Sequence, residues 1–214
     1  QWGTIDAKGA FEAMENGNMD GRMGKPMILA GLASTDPDSA IRWLESQKDL
    51  DLWERAMYTQ SLVNGMAKSD PDRAMQFALS AEDPADRARS AETLAREKIK
   101  GGLDEAYAWA QGLTDPDMKR GAMQAMAEQF SRTDINRAAD IARQYSNEEW
   151  AQRTLGSVAE RMAKDDPAAA LQFAAGLQGD ARDRAYLEVV QEIASTDPNE
   201  ALRIAGTLSG DAQS

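Results

Sequence analysis

Three Asp-Pro-Asp triplets, at 36–38, 70–72 and 115–117, are the residues whose type and spacing first suggest chemistry. Clustered carboxylates of this kind can hold a divalent cation. The same residues also make a helix start. Asp at the N-cap accepts hydrogen bonds from free backbone N–H groups, Pro follows without an N–H to lose, and the helix macrodipole favours a second Asp. The helix-start interpretation is favoured, so we expect no metal site here.

The segment 16–21, Asn-Gly-Asn-Met-Asp-Gly, resembles the first half of an EF-hand calcium loop, including the Gly at the sixth place. The twelfth place of such a loop needs a bidentate acid. It holds Met27 instead. We therefore interpret the segment as a Gly-rich loop between repeats.

The composition removes most other catalytic groups. The chain has no cysteine and no histidine, which excludes disulfides, thiolate nucleophiles, imidazole bases and the usual zinc ligand sets. Acid catalysis by two carboxylates requires a facing pair in a cleft, and the sequence identifies none. We expect no enzymatic activity and no cofactor.

The net charge is -12, from 36 acidic and 24 basic residues. Such a chain repels phosphate backbones and anionic lipid surfaces, so nucleic acid is not an expected partner. No apolar run approaches the roughly 20 residues of a membrane span, and we expect no direct membrane insertion. The composition fits an exported or periplasmic location slightly better than a cytoplasmic one, and it leaves the oligomeric state open.

The helix-start signal recurs along the chain, and this recurrence predicts the architecture. It stands at 36–37, 70–71, 166–167 and 197–198, and in weaker form at 102–103 and 134–135. Large apolar residues stand seven places after these six starts and after Thr4, the predicted N-cap of the first helix: Phe11, Trp43, Phe77, Trp109, Ile141, Phe173 and Ile204. Small residues stand three places earlier: Ala40, Ala74, Ala106, Ala138, Ala170 and Ala201. A period near 32 residues with two helices per unit predicts an all-α fold of the α-solenoid class, a right-handed superhelix of antiparallel helix pairs.

The helix before each turn has an apolar stripe of its own, made of two columns four residues apart. The columns are Ile28, Leu62, Leu94, Met126, Val158 and Val189, and Leu32, Met66, Lys98, Phe130, Met162 and Ile193. Lys98 breaks the stripe and predicts a one-residue slip near residues 100–102. Start signals for these helices are Asp83-Pro84, Asp115-Pro116, a capping box from Ser146 to Glu149, and Gly179-Asp180.

These signals predict about thirteen helices in one domain, residues 1–214, made of a half repeat (1–17), six helix pairs (22–208) and a polar tail (209–214). The predicted helices are 4–15, 25–34, 37–47, 51–68, 71–80, 84–100, 103–112, 116–131, 135–145, 147–164, 167–176, 181–195 and 198–208.

The recurring pattern A-x-x-x-A-S/K-x-D-P-x-x-A-x-x-F/W-A is similar to degenerate helical-repeat families of bacteria, between tetratricopeptide and HEAT repeats. The resemblance covers nearly the whole chain and implies a fold. The tetratricopeptide pattern W-x2-L-G-x2-Y is not matched, since Pro opens the second helix here instead of ending it. Tetratricopeptide peptide pockets are therefore not transferred to residues of this chain.

Basic residues recur near the start of the first helix of each pair. They are Arg55, Arg87, Lys119 and Arg182, with Arg89, Arg120, Arg153 and Arg184 close by. A cation there opposes the helix dipole, so we expect it to pair with an Asp in the turn of the neighbouring unit. The result would be a row of ion pairs between repeats. The alternative is an anion-binding strip.

In two-layer solenoids the first helices usually line the concave wall, and by this analogy their off-core residues are the candidate partner-binding set. These residues are Gln60, Asn64, Glu92, Arg96, Gln124, Glu128, Glu160, Gln191 and Glu192. The other residues of the same register are Ser61, Gly65, Thr93, Glu97, Ala125, Gln129, Gly156, Ser157, Arg161, Leu187 and Glu188. Such an acidic, amide-rich face can hydrogen-bond an extended peptide and favours a basic one. We expect a non-catalytic protein-interaction scaffold.

The alternative function is a helical accessory or regulatory domain of a larger enzyme or cell-envelope assembly. The last predicted helix motivates it, because Leu202, Ile204 and Leu208 give that helix an ordinary core pattern where a free-standing solenoid needs a polar cap.

Overall fold

The computed structural model describes Gly9 and residues 24–211, with side chains up to Gly206. Within these residues the chain forms twelve α-helices and no strand. They are α1 (Gly24–Thr35), α2 (Pro37–Ser46), α3 (Leu52–Ser69), α4 (Pro71–Leu79), α5 (Pro84–Ile99), α6 (Leu103–Gly112), α7 (Pro116–Thr133), α8 (Ile135–Gln144), α9 (Glu149–Asp165), α10 (Pro167–Ala175), α11 (Gly179–Thr196) and α12 (Pro198–Asp211). Odd-numbered helices are the first helices of six pairs, and even-numbered helices are the second helices.

The all-α prediction is confirmed, and helices packed in neighbouring pairs are compatible with a helical repeat. Predicted bounds agree to within two residues except at the last helix, which extends to Asp211. The predicted helix 4–15 and the loop 16–21 lie outside the described residues, apart from Gly9. The contacts divide the chain into two compact units, Gln1–Ala125 and Met126–Ser214. The right-handed solenoid and the single domain stay predictions.

A single aspartate joins the two helices of five pairs. At Asp166 the backbone N–H donates to the carbonyl of Met162 (2.8 Å), while the side chain accepts from the N–H of Ala169 (3.0 Å). One residue thus ends the first helix and caps the second. The backbone is extended at φ -146° and ψ 92°, the region that a residue before proline prefers. The same arrangement recurs at Asp36, Asp70, Asp134 and Asp197.

The third pair departs from this design, as the break at Lys98 predicted. Three residues, 100–102, separate α5 from α6, and Gly102 is an N-cap without a side chain. Lys98 places its Nζ atom 5.2 Å from the ring centre of Trp109. The ammonium group therefore lies over an aromatic face, where a cation is attracted by the ring quadrupole.

The core of unit 1 lies between its helix layers. The first helices lie side by side, because α1 packs on α3 and α3 packs on α5. Gly65 of α3 permits a close approach to α1, since a Cβ atom built on it would stand 2.2 Å from the carbonyl oxygen of Ala30. The small residues predicted for the second helices, Ala40, Ala74 and Ala106, are buried.

Unit 2 is built in the same way. Its most extensive helix contact joins α9 to α11, where a Cβ on Gly156 would stand 3.2 Å from Cγ of Arg184. Phe130 and Leu155 are fully buried. The small residues Ala138, Ala170 and Ala201 are again buried.

The column of large apolar residues is less buried than its register suggested. Ile141 and Ile204 are buried, but Trp43, Phe77, Trp109 and Phe173 are only half-buried. The residue after this column is buried on five of the six described second helices: Leu44, Ala78, Ala110, Ala142 and Ala174.

The half-buried rings lie at the edge of the core, and charged or aromatic side chains contact three of them, Trp43, Trp109 and Phe173. Trp43 meets Tyr58 edge-on with ring centres 5.4 Å apart. The guanidinium carbon of Arg143 lies 4.9 Å from the ring centre of Phe173.

The capping box predicted from Ser146 to Glu149 is wrong. Helix α9 begins at Glu149 with Glu148 as N-cap, and no side chain caps it. The Ser146 carbonyl instead accepts a hydrogen bond from the Gln152 amide (3.2 Å). Trp150 is buried against Tyr145, so this tryptophan belongs to the core of unit 2.

Candidate functional site

The nine candidate partner-binding residues, the first-helix surface, all reach solvent. Asn64, Arg96 and Gln191 are exposed, and the remaining six are half-buried. Their register neighbours Ser61, Gly65, Ala125 and Gly156 are buried. Neighbouring first helices approach Gly65 and Gly156 closely, because these helices pack side by side. The accessible part of α3, α7 and α9 is therefore narrower than the sequence suggested.

In unit 1 two helices contribute most of this surface. The Gln60 amide on α3 donates to Oγ1 of Thr93 on α5 (2.5 Å), so it links two first helices. Glu92 forms an ion pair with Arg96 one turn later (2.6 Å). Asn64 on α3 is exposed, and Gln124 on α7 is half-buried.

In unit 2 the carboxylates of two first helices share one lysine. Lys164 donates to Glu160 (2.8 Å). This hydrogen bond and the charge of Glu160 raise the pKa of Lys164, and Glu192 on α11 adds a further attraction. Glu128 also has an interaction. Two carboxylates of the first-helix surface are therefore paired with cations, Glu92 with Arg96 and Glu160 with Lys164.

A groove of about 450 Å³ adjoins this surface in unit 2 and is called the hairpin groove. It lies between the α9–α10 and α11–α12 turns, and Lys164 and Glu192 line it beside Leu171, Ile193 and Ile204. The ion pair of Arg203 with Glu200 (2.6 Å) lies on its rim.

A second groove, in unit 1, has a volume of about 610 Å³ and was not predicted from the sequence. Leu44, Leu52 and Phe77 supply apolar surface, and Glu45 and Glu82 are among its acidic residues. This groove is called the acidic groove.

The basic residues at the first-helix starts act differently from the prediction. Arg55 donates to the carbonyl of Gln47 (2.9 Å), and Lys119 donates to that of Gln111 (2.7 Å). Arg87 likewise donates to the carbonyl of Ala81 (2.8 Å). The last carbonyls of a helix lack intrahelical partners and attract cations. These side chains therefore tie the start of a first helix to the end of the preceding second helix.

Ion pairs between repeats are fewer than expected. Arg87 forms ion pairs with Asp117 (2.5 Å) and Asp115 (3.5 Å) at the start of the first helix of the next repeat, as predicted. Arg89, Arg153 and Arg182 pair instead with acids close in their own helices, Asp86, Glu149 and Asp183, so the prediction is wrong for these three residues. Arg120 also pairs with Asp117 in its own helix (3.5 Å).

The Asp-Pro-Asp triplets serve as helix starts. Asp36, Asp70 and Asp115 each accept a backbone N–H from the third residue after them, at 2.9–3.1 Å. Asp38 faces Arg73 and Asp117 faces Arg87. In residues 24–206 no group of three or more acids is arranged to hold a metal ion.

None of the described helices is both long and apolar enough to cross a membrane. Comparison with protein-family models, with curated proteins and with solved structures gave no match. The resemblance to bacterial tetratricopeptide and HEAT repeats therefore stays a prediction, and functional inference rests on the geometry of the two surfaces.

Proposed function

We propose that this chain is a non-catalytic helical-repeat scaffold that binds a protein or peptide partner through the first-helix surface. One observation supports the proposal: all nine residues reach solvent, although four small register neighbours on α3, α7 and α9 (Ser61, Gly65, Ala125 and Gly156) are buried. Packing between first helices thus buries small residues such as Gly65 and Gly156 and leaves amide and carboxylate side chains accessible.

The chemistry of these residues suits an extended peptide with basic side chains. Exposed Asn64 and Gln191 offer both donors and acceptors to a peptide backbone. Glu160 and Glu192 flank Lys164, and a cation of the partner can take its place. Exposed ion pairs contribute only about 0.2–1 kcal/mol each, so such an exchange costs little.

Charge reversal tests this proposal. The variant Glu128→Lys/Glu160→Lys/Glu192→Lys should lose proteins captured from the source organism that the unmodified chain retains. The matched control is Asp72→Lys/Glu105→Lys/Asp140→Lys, which makes the same charge change on second helices and should retain them. Circular dichroism checks that both variants stay helical.

A captured protein is then purified and titrated directly at low and high salt. Binding should weaken with salt, because exposed charges beyond about 8–10 Å are screened at physiological ionic strength. Equal loss in both variants would show that net charge matters and the first-helix surface does not. Loss in the second-helix variant alone would move the binding surface to the second helices.

An accessory domain within a larger enzyme or envelope assembly is the second candidate. Leu202 on α12 is 73% exposed, while Ala201 beside it is buried. A covering element in an assembly would account for this leucine. Leu202→Ser should then leave the isolated chain stable and weaken its retention in native complexes. Unchanged retention would remove the support for this candidate.

A further inference from the structure

We propose that the acidic groove of unit 1 binds a short peptide segment in which a bulky apolar residue is flanked by lysine or arginine. The groove is bordered by the last turn of α2, the first half of α3, the end of α4 and the start of α5. Its volume of about 610 Å³ lies within the range of roughly 300–1,000 Å³ that is usual for ligand pockets. This inference concerns a surface separate from the first-helix surface.

The apolar part of the groove explains the bulky residue. Leu44 is buried, Phe77 is half-buried, and Leu52 at its edge is 89% exposed. A leucine side chain left in water at a groove gains from being covered by an apolar side chain.

The charges of the groove explain the flanking cations. Its acidic residues are Glu45, Glu82, Asp83 and Asp86, and its single basic residue is Arg55. Arg55 donates to the carbonyl of Gln47, which occupies part of its guanidinium group. The net charge of the described residues that line the groove is therefore strongly negative.

Two of these carboxylates are available to a ligand. Asp83 caps α5 by accepting from the N–H of Ala85 (2.8 Å), and Asp86 faces Arg89. Glu45 and Glu82 have no ion pair within residues 24–206. Two unpaired carboxylates beside an apolar floor are complementary to a segment that carries both a bulky apolar side chain and cations.

Other occupants fit the groove less well. An anion or a nucleic acid would be repelled by the groove and by the net charge of -12. A second copy of the chain would bring the same negative charge to the interface. A basic and apolar peptide meets neither obstacle.

Fluorescence anisotropy with synthetic peptides tests the proposal directly. The probe is a labelled peptide with one Leu or Trp between Lys and Arg residues. One matched peptide carries Ser at the apolar position, and another carries Glu in place of the cations. We expect binding of the first peptide only. Glu45→Lys/Glu82→Lys should weaken it by about tenfold or more at low salt.

The apolar contribution is tested by Leu52→Ser, with Leu202→Ser in unit 2 as its control. Leu52→Ser should weaken binding of the same peptide by about tenfold, and Leu202→Ser should not. Both residues are exposed, so both variants should keep the helicity and melting temperature of the parent chain. The methyl NMR signals of Leu52 in the unmodified chain should shift on addition of the peptide.

Four results would overturn the proposal. Equal binding of the Ser-containing peptide would show attraction by net charge alone. Absent shifts at Leu52 would place the peptide elsewhere. Loss of binding in Glu128→Lys/Glu160→Lys/Glu192→Lys would assign the peptide to the first-helix surface instead. A concentration-dependent dimer that Leu52→Ser disrupts would make the groove an interface between two copies. The two charge-reversal variants change different residues. A negative result at the acidic groove therefore does not decide the scaffold proposal, which has its own test.

Discussion

Gly121 on α7 faces the backbone of Ala88 on α5 so closely that a Cβ atom on Gly121 would stand 1.9 Å from the Ala88 carbonyl oxygen. No side chain can move aside to relieve that contact, because the opposing atoms belong to the backbone. The glycine therefore sets the distance between two first helices of unit 1.

Gly121→Ala should destabilise the protein by about 1–3 kcal/mol or more, because the added methyl group forces α5 and α7 apart. The matched control is Gly206→Ala in α12, where nothing lies within 4 Å of the new Cβ. There the substitution should stabilise by about 0.5–1 kcal/mol through helix propensity. Urea denaturation measures both effects. A Gly121→Ala protein as stable as its parent would contradict this close approach.

The aspartate between α9 and α10 should be replaceable by asparagine but not by alanine. Asp166→Ala removes the acceptor for the N–H of Ala169 and should cost about 0.5–2 kcal/mol. Asp166→Asn keeps a side-chain oxygen and should cost less. Chemical denaturation of the two variants separates the cap from the charge. Equal losses would show that the hydrogen bond to Ala169 contributes little.

Acid should weaken the cap at Asp36. The hydrogen bond with the side chain of Ser39, then the bond from its backbone N–H, lowers the pKa of Asp36 below its ordinary value. A lowered folded-state pKa gives stability that is present above the unfolded pKa and is lost as pH falls through the folded pKa. NMR titration should show this lowered pKa. Asp36→Asn should remove this acid-dependent part of the stability, and an ordinary pKa would contradict the assignment.

Two phenylalanines in unit 2 should differ in their contribution to stability. Phe130 is 1% exposed, whereas Phe173 is half-buried beneath Arg143. Phe130→Ala should cost about 3–5 kcal/mol, and Phe173→Ala should cost less because part of its ring already contacts water. Gln172→Ala, on an exposed neighbour, should change little. Thermal denaturation ranks the stabilities of these variants. A larger loss of stability in Phe173→Ala than in Phe130→Ala would show that the column of large apolar residues belongs to the core.

Helix boundaries were largely predictable because their signals are local. Asp166 followed by Pro167 acts through atoms only a few residues away, so its type and position suffice to end one helix and start another. The wrong capping-box prediction from Ser146 to Glu149 also came from a local signal. A Ser and a Glu three residues apart satisfy the pattern, but the chain instead turns at Glu148, with the Gln152 amide bonded to the Ser146 carbonyl.

The candidate site was only partly predictable, because exposure and charge depend on neighbours distant in sequence. The positions of Asn64 and Gln191 followed from helical spacing, and both are exposed. The ion pair of Glu160 with Lys164 joins residues one turn apart on α9 and is itself a local feature. The influence of Glu192 on the same lysine, in contrast, required the packing of α9 on α11. The acidic groove needs four helices to form, so no single stretch of sequence contains it.

By itself the sequence determined an all-helical chain of paired helices and the aspartate that joins most pairs, since hydrophobic period and caps act within one or two helical turns. Tertiary structure decided how deeply each column is buried and where each cation binds. Phe173 and Ile141 occupy the same register, yet one lies under Arg143 and the other in the core. Arg87 binds both an acid, Asp117, and a backbone carbonyl, that of Ala81. Equal sequence spacing gives equal positions along a helix, whereas burial and partners depend on which helices pack beside it.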